Sequence, residues 1–158
     1  MRRIVYASFA HKHFAVPELF DLLVHARAAN ARRDITGTLF YQDRFFLQCL
    51  EGPSVEVSAV LDKIARDPRH GGFTILSDQA IVASRLFSSW AMGFFHMDAI
   101  EALAPEGMLS NGTDFESALA NGESADPAEV IMRQYWAANA RKLTRQRVTP
   151  SRAPVPNG

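Results

Sequence analysis

Three polar side chains occupy positions where the surrounding pattern places apolar core residues. Tyr6 and Gln48 each fall in a predicted strand, and Asn30 lies on the apolar stripe of a predicted helix. Buried phenol and carboxamide groups need hydrogen-bond partners, so these groups either satisfy one another or bind a polar planar ligand. Both interpretations stay open on the pattern alone, which favours a ligand without naming it.

The periodicity of the sequence predicts the elements that position these groups. Alternation predicts a strand at residues 3–8, and two further β-rich runs at 36–41 and 45–51. The three polar residues between those runs, 42–44, predict a hairpin. Apolar side chains at helical spacing, ending in the polar Asn30, predict a helix between the first two strands: Leu19, Leu22, Leu23, Ala26 and Asn30.

The second half of the pattern repeats this arrangement. Ser54 is the predicted N-cap of a second helix, which should end near Asp67 because Pro68 follows. Strands are expected at about 73–83 and 89–95. The order βαββαββ predicts an α+β, ferredoxin-like fold with one additional strand and with both helices on one sheet face.

The C-terminal third has a different character from the first 97 residues. We expect a helical cap at residues 98–146 and a disordered, proline-containing tail at 147–158. Within the cap, a short helix is expected at about 114–120, and a longer one is expected to begin at Asp126-Pro127. Its predicted apolar stripe comprises Ile131, Tyr135 and Ala138.

Composition excludes several classes of protein. The 158 residues carry 17 Lys and Arg against 17 Asp and Glu, so there is no net charge to attract nucleic acid or an anionic membrane. One cysteine cannot form an internal disulfide or a thiolate-rich zinc site, and no metal is expected. Without a signal peptide or an 18-residue apolar run, a cytoplasmic location is expected.

Five stretches in register resemble the BLUF family, the blue-light sensors that use flavin. The two longest are residues 30–41 (NARRDITGTLFY) and 45–52 (FFLQCLEG). The others are YAS at 6–8, RDPRH at 66–70 and SWAM at 89–92. The resemblance covers about residues 2–96, so residues 1–97 are interpreted as the sensor domain. In short members of the family, C-terminal helices cover the outer face of the sheet.

The resemblance implies a noncovalently bound flavin between the two helices. The cofactor would be FAD, or FMN or riboflavin as in some members. Asn30 would bond the pyrimidine edge of the ring, and Leu22 and Ile64 would pack on its faces. Four residues would contact the ring edge or the ribityl-phosphate portion: Lys63, Asp67, Arg69 and His70.

The resemblance also implies a photochemical role for Tyr6 and Gln48. In the family, the tyrosine donates an electron and then a proton to the excited flavin, and the glutamine ends rearranged. Trp90 and Met92, two residues apart on one face of the last strand, would relay this change to the C-terminal helices. Cys49 falls on the opposite face from Gln48, so we interpret it as a core residue and not as a photo-adduct thiol.

One position departs from the family pattern. Ala29 stands where many members have Asn or His, which removes one contact to the ring.

Two alternatives to a photoreceptor remain, a flavin-dependent oxidoreductase and a ferredoxin-like interaction module without chromophore. We expect a sensor that is not itself an enzyme, that forms a homo-oligomer and that signals to a downstream protein partner.

Overall fold

The computed structural model describes residues 1–81, 84–87, 93–96 and 125–146. Side chains are described for the same residues except 94–96 and 140–146. Trp90, Met92, the short helix predicted at 114–120 and the predicted tail at 147–158 lie outside the described residues.

The described strands form one mixed sheet. In chain order they are β1 (Arg2–Ala10), β2 (Thr36–Gln42), β3 (Phe45–Gly52), β4 (His70–Ala80) and β5 (Gly93–His96). Their order across the sheet is β4-β1-β3-β2-β5. Neighbours are antiparallel except β2 and β5, which run parallel. With the helices, the chain order confirms the predicted ferredoxin-like α+β fold.

Three helices are described, α1 (Val16–Ala31), α2 (Ser54–Ala65) and α3 (Pro127–Gln146). Pro17 has no N–H, which costs nothing in the first turn of α1 because the N–H groups there have no helical acceptor. The Glu18 carboxylate accepts the N–H of Ala15 at 2.8 Å. At its other end, the Asn30 carbonyl accepts the N–H groups of Arg33 and Ile35 at 2.9 and 3.0 Å. These bonds fix the place at which α1 turns into β2.

Each face of the sheet has its own core. The inner core lies between the sheet and both α1 and α2, as predicted, and its members include Ile4, Tyr6, Leu19, Leu23, Leu50, Val57 and Leu61. The outer core lies between the sheet and α3, and its members include Val5, Ala7, Phe40, Leu47, Cys49, Phe87, Ala128 and Met132. Strict alternation along β1 and β3 divides the side chains between these two layers.

Two local predictions at the starts of elements are wrong. The hairpin has a two-residue turn and not a three-residue one, because Gln42 pairs with Phe45. Asp43 and Arg44 adopt positive φ of 48° and 68°, which suits the twist of a tight hairpin. The N-cap of α2 is Pro53, without a side-chain cap, so Ser54 is the first helical residue and not the cap.

Strand β4 and helix α3 also differ in detail from the prediction. β4 begins at His70 and includes both glycines, since Gly71 pairs with Phe9 and Gly72, at φ 60°, lies where the register shifts. It ends at Ala80 and not at residue 83. In α3, Ala138 is exposed, and Met132 takes its expected place in the core.

A substitution at Gly37 in β2 tests whether β2 approaches β3 closely at this position. A Cβ atom at this position would lie 2.0 Å from the Cys49 carbonyl oxygen, a backbone atom that cannot move aside. We therefore expect Gly37→Ala to lower the free energy of unfolding by about 3 kcal/mol or more, measured by urea unfolding. Gly71→Ala is the control, because its Cβ meets only the movable His11 ring. Equal unfolding midpoints for the two variants would contradict this account.

Candidate functional site

A cavity of about 580 Å³ lies between α1, α2 and the inner sheet face. Small-molecule sites typically have volumes of roughly 300–1,000 Å³. All nine site residues that were predicted from sequence and lie in the described part of the chain line this cavity: Tyr6, Leu22, Asn30, Gln48, Lys63, Ile64, Asp67, Arg69 and His70. The fold therefore brings together residues that are up to 64 positions apart in the sequence.

Tyr6 and Gln48 form a hydrogen-bonded pair in the floor of the cavity. They face each other across the β1–β3 register, and the Tyr6 hydroxyl donates to Gln48 Oε1. Tyr6 is 2% exposed and Gln48 6% exposed. Burial raises the pKa of Tyr6, so its phenol stays protonated and acts as the donor. The Tyr6 ring also stacks on Phe73 at a centroid distance of 4.8 Å.

Asn30 places a second carboxamide at the cavity, in the last turn of α1. The residue is 3% exposed, and its backbone carbonyl is held by the bonds that end the helix. A carboxamide offers donors and an acceptor side by side, which suits the edge of a ring that presents a carbonyl beside an N–H. Leu22 on α1 and Ile64 on α2 line the cavity as apolar groups, each partly buried against the inner core.

The segment after α2 supplies a fixed polar cluster. Arg69 donates from Nε and Nη2 to the Asp67 carboxylate at 2.6 to 3.1 Å, and its backbone N–H donates to Asp67 Oδ1 at 2.9 Å. The Arg69 guanidinium thereby lowers the pKa of Asp67 to about 2. The ring of His70 lies 3.0 Å from Ser8 Oγ through Nδ1, and burial lowers its pKa. The His70 side chain is therefore neutral at pH 7.

Most cations around the cavity are paired with carboxylates. Lys12 bonds Glu18 at 2.8 Å, and Arg33 bonds Glu56 at 3.1 Å. Lys63, exposed on α2, has no carboxylate within ion-pair distance among the described residues. Lys63 is therefore the cation at this cavity whose charge is available to a bound anion.

Sequence reasoning missed several residues that line the cavity. Val60 precedes Ile64 by one helical turn, so the same periodicity identifies it. Phe46 lies two residues before Gln48 on the same face of β3. The charged residues at the edge, among them Lys12, Glu18 and Arg33, carry no periodic signal, because they come from loops and helix ends.

Cys49 lies away from the cavity, as alternation predicts. It is fully buried in the outer core, which also contains Ala128 and Met132 of α3. Burial raises the pKa of its thiol, which keeps the sulfur protonated and unreactive.

Within the described residues, no cluster of three or more His, Cys, Asp or Glu side chains is arranged to hold a metal ion. The described helices include none with the length and apolarity of a membrane span.

Comparison with known proteins identifies the family. Residues 1–93 match the family described as "BLUF: Sensors of blue-light using FAD". This match covers more than half of the chain, so the protein belongs to the BLUF family of flavin-using blue-light sensors.

Individual relatives agree with this assignment. The "Blue light- and temperature-regulated antirepressor BluF" of Escherichia coli K12 is 28% identical over 111 residues, which are 66% of this chain and 27% of that protein. "Photoactivated adenylate cyclase subunit alpha" of Euglena gracilis is 29% identical over 102 residues, 63% of this chain and 10% of that protein. The chain thus matches about a tenth to a quarter of the length of these relatives.

Solved structures support the same fold. "BlrB - a BLUF protein, dark state structure" aligns with a TM-score of 0.58 at 27% identity, over 75% of this chain and 90% of that one. A structure of BlrP1 from Klebsiella pneumoniae, described with FMN and cyclic diGMP, aligns with a TM-score of 0.67 over 89% of this chain and 35% of that one. At 23% identity, the second likeness concerns the fold alone.

The Asp67–Arg69 pair predicts a pH dependence of stability. Because the folded-state pKa of Asp67 lies below its usual 3.8, the pair stabilises the fold above about pH 4, and this contribution disappears as the pH falls through 2. We expect Asp67→Asn to lower the free energy of unfolding by no more than about 1 kcal/mol at pH 7, since solvent screens the exposed Arg69.

Urea unfolding of the native protein and of Asp67→Asn at pH 7, 4 and 2.5 measures this dependence. Asp62→Asn is the control, because Asp62 is exposed and lies 3.9 Å from Arg66. A stability difference for Asp67→Asn that is the same at all three pH values would show that the ion pair is not its cause.

Proposed function

We propose that this chain is a blue-light photoreceptor that binds flavin noncovalently in the cavity between α1 and α2. The observation that carries the proposal is the buried hydrogen bond between Tyr6 and Gln48 in the cavity floor. In a protein core this bond would merely satisfy two polar groups. Here it borders a cavity of ligand size that also presents the carboxamide of Asn30.

The ring system of the flavin would lie between Leu22 on one side and Ile64 on the other. Asn30 would bond its pyrimidine edge, where a carbonyl and an N–H stand side by side. The cluster of Asp67, Arg69 and His70 would border the ring edge or the ribityl chain. Ala29, which also lines the cavity, has no polar group to add to these bonds.

A bound flavin supplies the absorption of blue light and an electron acceptor beside the phenol. Tyr6 is suited to give an electron and a proton and to take both back, because burial keeps the phenol protonated beforehand. Its proton has one acceptor in place, Gln48 Oε1. When Tyr6 has recovered both, Gln48 would remain reoriented or tautomerised, which changes the hydrogen bonds of the ring without changing net charge.

We propose that the chain acts as a sensor and not as an enzyme, and that its signal passes to a protein partner. A relay through Trp90 and Met92 remains a prediction, since both lie outside the described residues. Homo-oligomer formation likewise stays a prediction. Exposed apolar side chains on β1 and β4, such as Phe9 and Ile75, are its support.

The photoactive pair is tested by removing each polar group separately. Tyr6→Phe and Gln48→Leu should each retain the yellow colour of bound flavin but lose the reversible red shift under blue light. The measurement is the absorbance spectrum before, during and after illumination. Tyr41→Phe is the matched control, because this buried tyrosine bonds the N–H of Phe14 at 3.1 Å and does not line the cavity.

Three outcomes would count against the proposal. A normal photocycle in either variant would show that the pair is wrongly assigned. Protein that stays colourless even after reconstitution with FAD, FMN and riboflavin would favour the interaction module without chromophore. Yellow protein that turns over a substrate and shows no red shift would favour the oxidoreductase.

Lys63 provides a test of which flavin is bound. Since its charge has no carboxylate partner in the described part of the chain, we propose that it binds the flavin phosphate. Lys63→Met should weaken FMN and FAD by about tenfold, the loss of one charged hydrogen bond, and leave riboflavin affinity unchanged. Fluorescence titration of apoprotein measures all three affinities.

The control for this test is Arg66→Met. Arg66 is a cation three residues further along the chain that does not line the cavity. An equal loss of affinity for riboflavin and FMN in Lys63→Met would contradict a phosphate contact.

A further inference from the structure

A network of buried charges lies on the sheet face opposite the cavity. Glu51 on β3 is fully buried and Arg3 on β1 is 3% exposed. Arg3 Nε donates to Glu51 Oε1, and the two residues face each other across the β1–β3 register. Burial of two charges is costly unless their hydrogen bonds are satisfied, so the remaining partners of this pair matter.

The first set of partners comes from the segment of residues 84–87. Glu51 accepts the N–H of Leu86 at 3.0 Å and the N–H of Phe87 at 2.9 Å, using both carboxylate oxygens. Arg3 donates from Nη2 to the Ser84 carbonyl at 3.1 Å. The Phe87 side chain, 1% exposed, packs in the outer core. The pair thus holds a chain segment that belongs to neither strand.

The second partner is Asp126, which joins the network to α3. Its Oδ2 accepts a hydrogen bond from Arg3 Nη1, and its Oδ1 accepts the N–H of Ala128 at 2.9 Å in the first turn of α3. Gln79 on β4 donates to the same Oδ1 at 2.5 Å. Asp126 is therefore at once the N-cap of α3 and a salt-bridge partner of the sheet.

The same two strands carry this network and the photoactive pair. Tyr6 faces Gln48 and Arg3 faces Glu51, each three residues apart along its strand and on opposite sheet faces. Three residues of a strand span about 10 Å. A small change in the spacing or twist of β1 against β3 at one pair therefore also changes the geometry of the other pair.

We propose that Arg3, Glu51 and Asp126 are positioning residues that couple the state of the Tyr6–Gln48 pair to the docking of α3. This inference rests on the proposed photoreceptor function. In the light state, the ion pair between Arg3 and Asp126 breaks. This is the pair that can break, because the Asp126 side chain is 24% exposed and water can replace the guanidinium there. The Arg3–Glu51 ion pair stays intact, since separating it would leave two buried charges without a partner or water.

Asp126→Asn tests the coupling with the least damage to the fold. Asparagine caps a helix about as well as aspartate, so the variant retains the cap and removes only the charge that Arg3 binds. Glu129→Gln is the matched control. It also removes a buried carboxylate from the first turns of α3, but that carboxylate bonds Arg133 of the same helix. Asp126→Glu preserves the charge.

The readouts are the flavin absorbance shift and the hydrogen–deuterium exchange of residues 84–87 and 127–139, in darkness and under blue light. The native protein, Glu129→Gln and Asp126→Glu should show the red shift and a light–dark difference in exchange at both segments. Asp126→Asn should show the red shift without that difference. A merely structural role would change exchange equally in darkness and light.

Four outcomes would overturn the inference. They are a native protein with a red shift but no exchange difference, an unchanged difference in Asp126→Asn, a loss in the control that equals the loss in Asp126→Asn, and Asp126 variants that no longer bind flavin in darkness. The last would make the network a requirement of folding. A native protein without any red shift would instead overturn the proposed function itself.

Discussion

The register between β1 and β3 is the constraint on which the rest of the structure depends. It sets Tyr6 opposite Gln48 on the inner face and Arg3 opposite Glu51 on the outer face. A slip of one residue would exchange the two faces, placing Cys49 at the cavity and Gln48 in the outer core. Because each face is covered by helices, such a slip would bury charges without partners, and the register is therefore strongly specified.

The cavity exists because the inner core is left unfilled at one place. Leu19 and Leu23 of α1 and Val57 and Leu61 of α2 fill the space against the sheet. Beside them, the polar side chains of Tyr6, Asn30 and Gln48 line the cavity. A planar ligand with polar edges would add hydrogen bonds to these groups and apolar surface for the helices, so its binding and the packing of the two helices would stabilise each other.

The features of the structure that could be predicted from the sequence are those marked by a repeating pattern of apolar and polar residues. Alternation assigned Gln48 and Cys49 to opposite faces, and helical spacing brought Asn30 into line with Leu19 and Leu23, because local backbone geometry determines these directions. The two-residue turn was missed because Arg44 adopts a positive φ that only hairpin geometry demands. The bonds of Arg3 to Asp126 join residues 123 positions apart, and no periodic signal connects them.

The chemistry of the two faces also limits how a signal can cross the sheet. A hydrogen bond between a protonated phenol and an amide rearranges without moving net charge, so the charges on the outer face feel little change in electrostatic potential. The proposed coupling must therefore be geometric, carried by the spacing and twist of β1 and β3. A network with one guanidinium between two carboxylates suits this purpose, because its hydrogen bonds depend steeply on distance and angle.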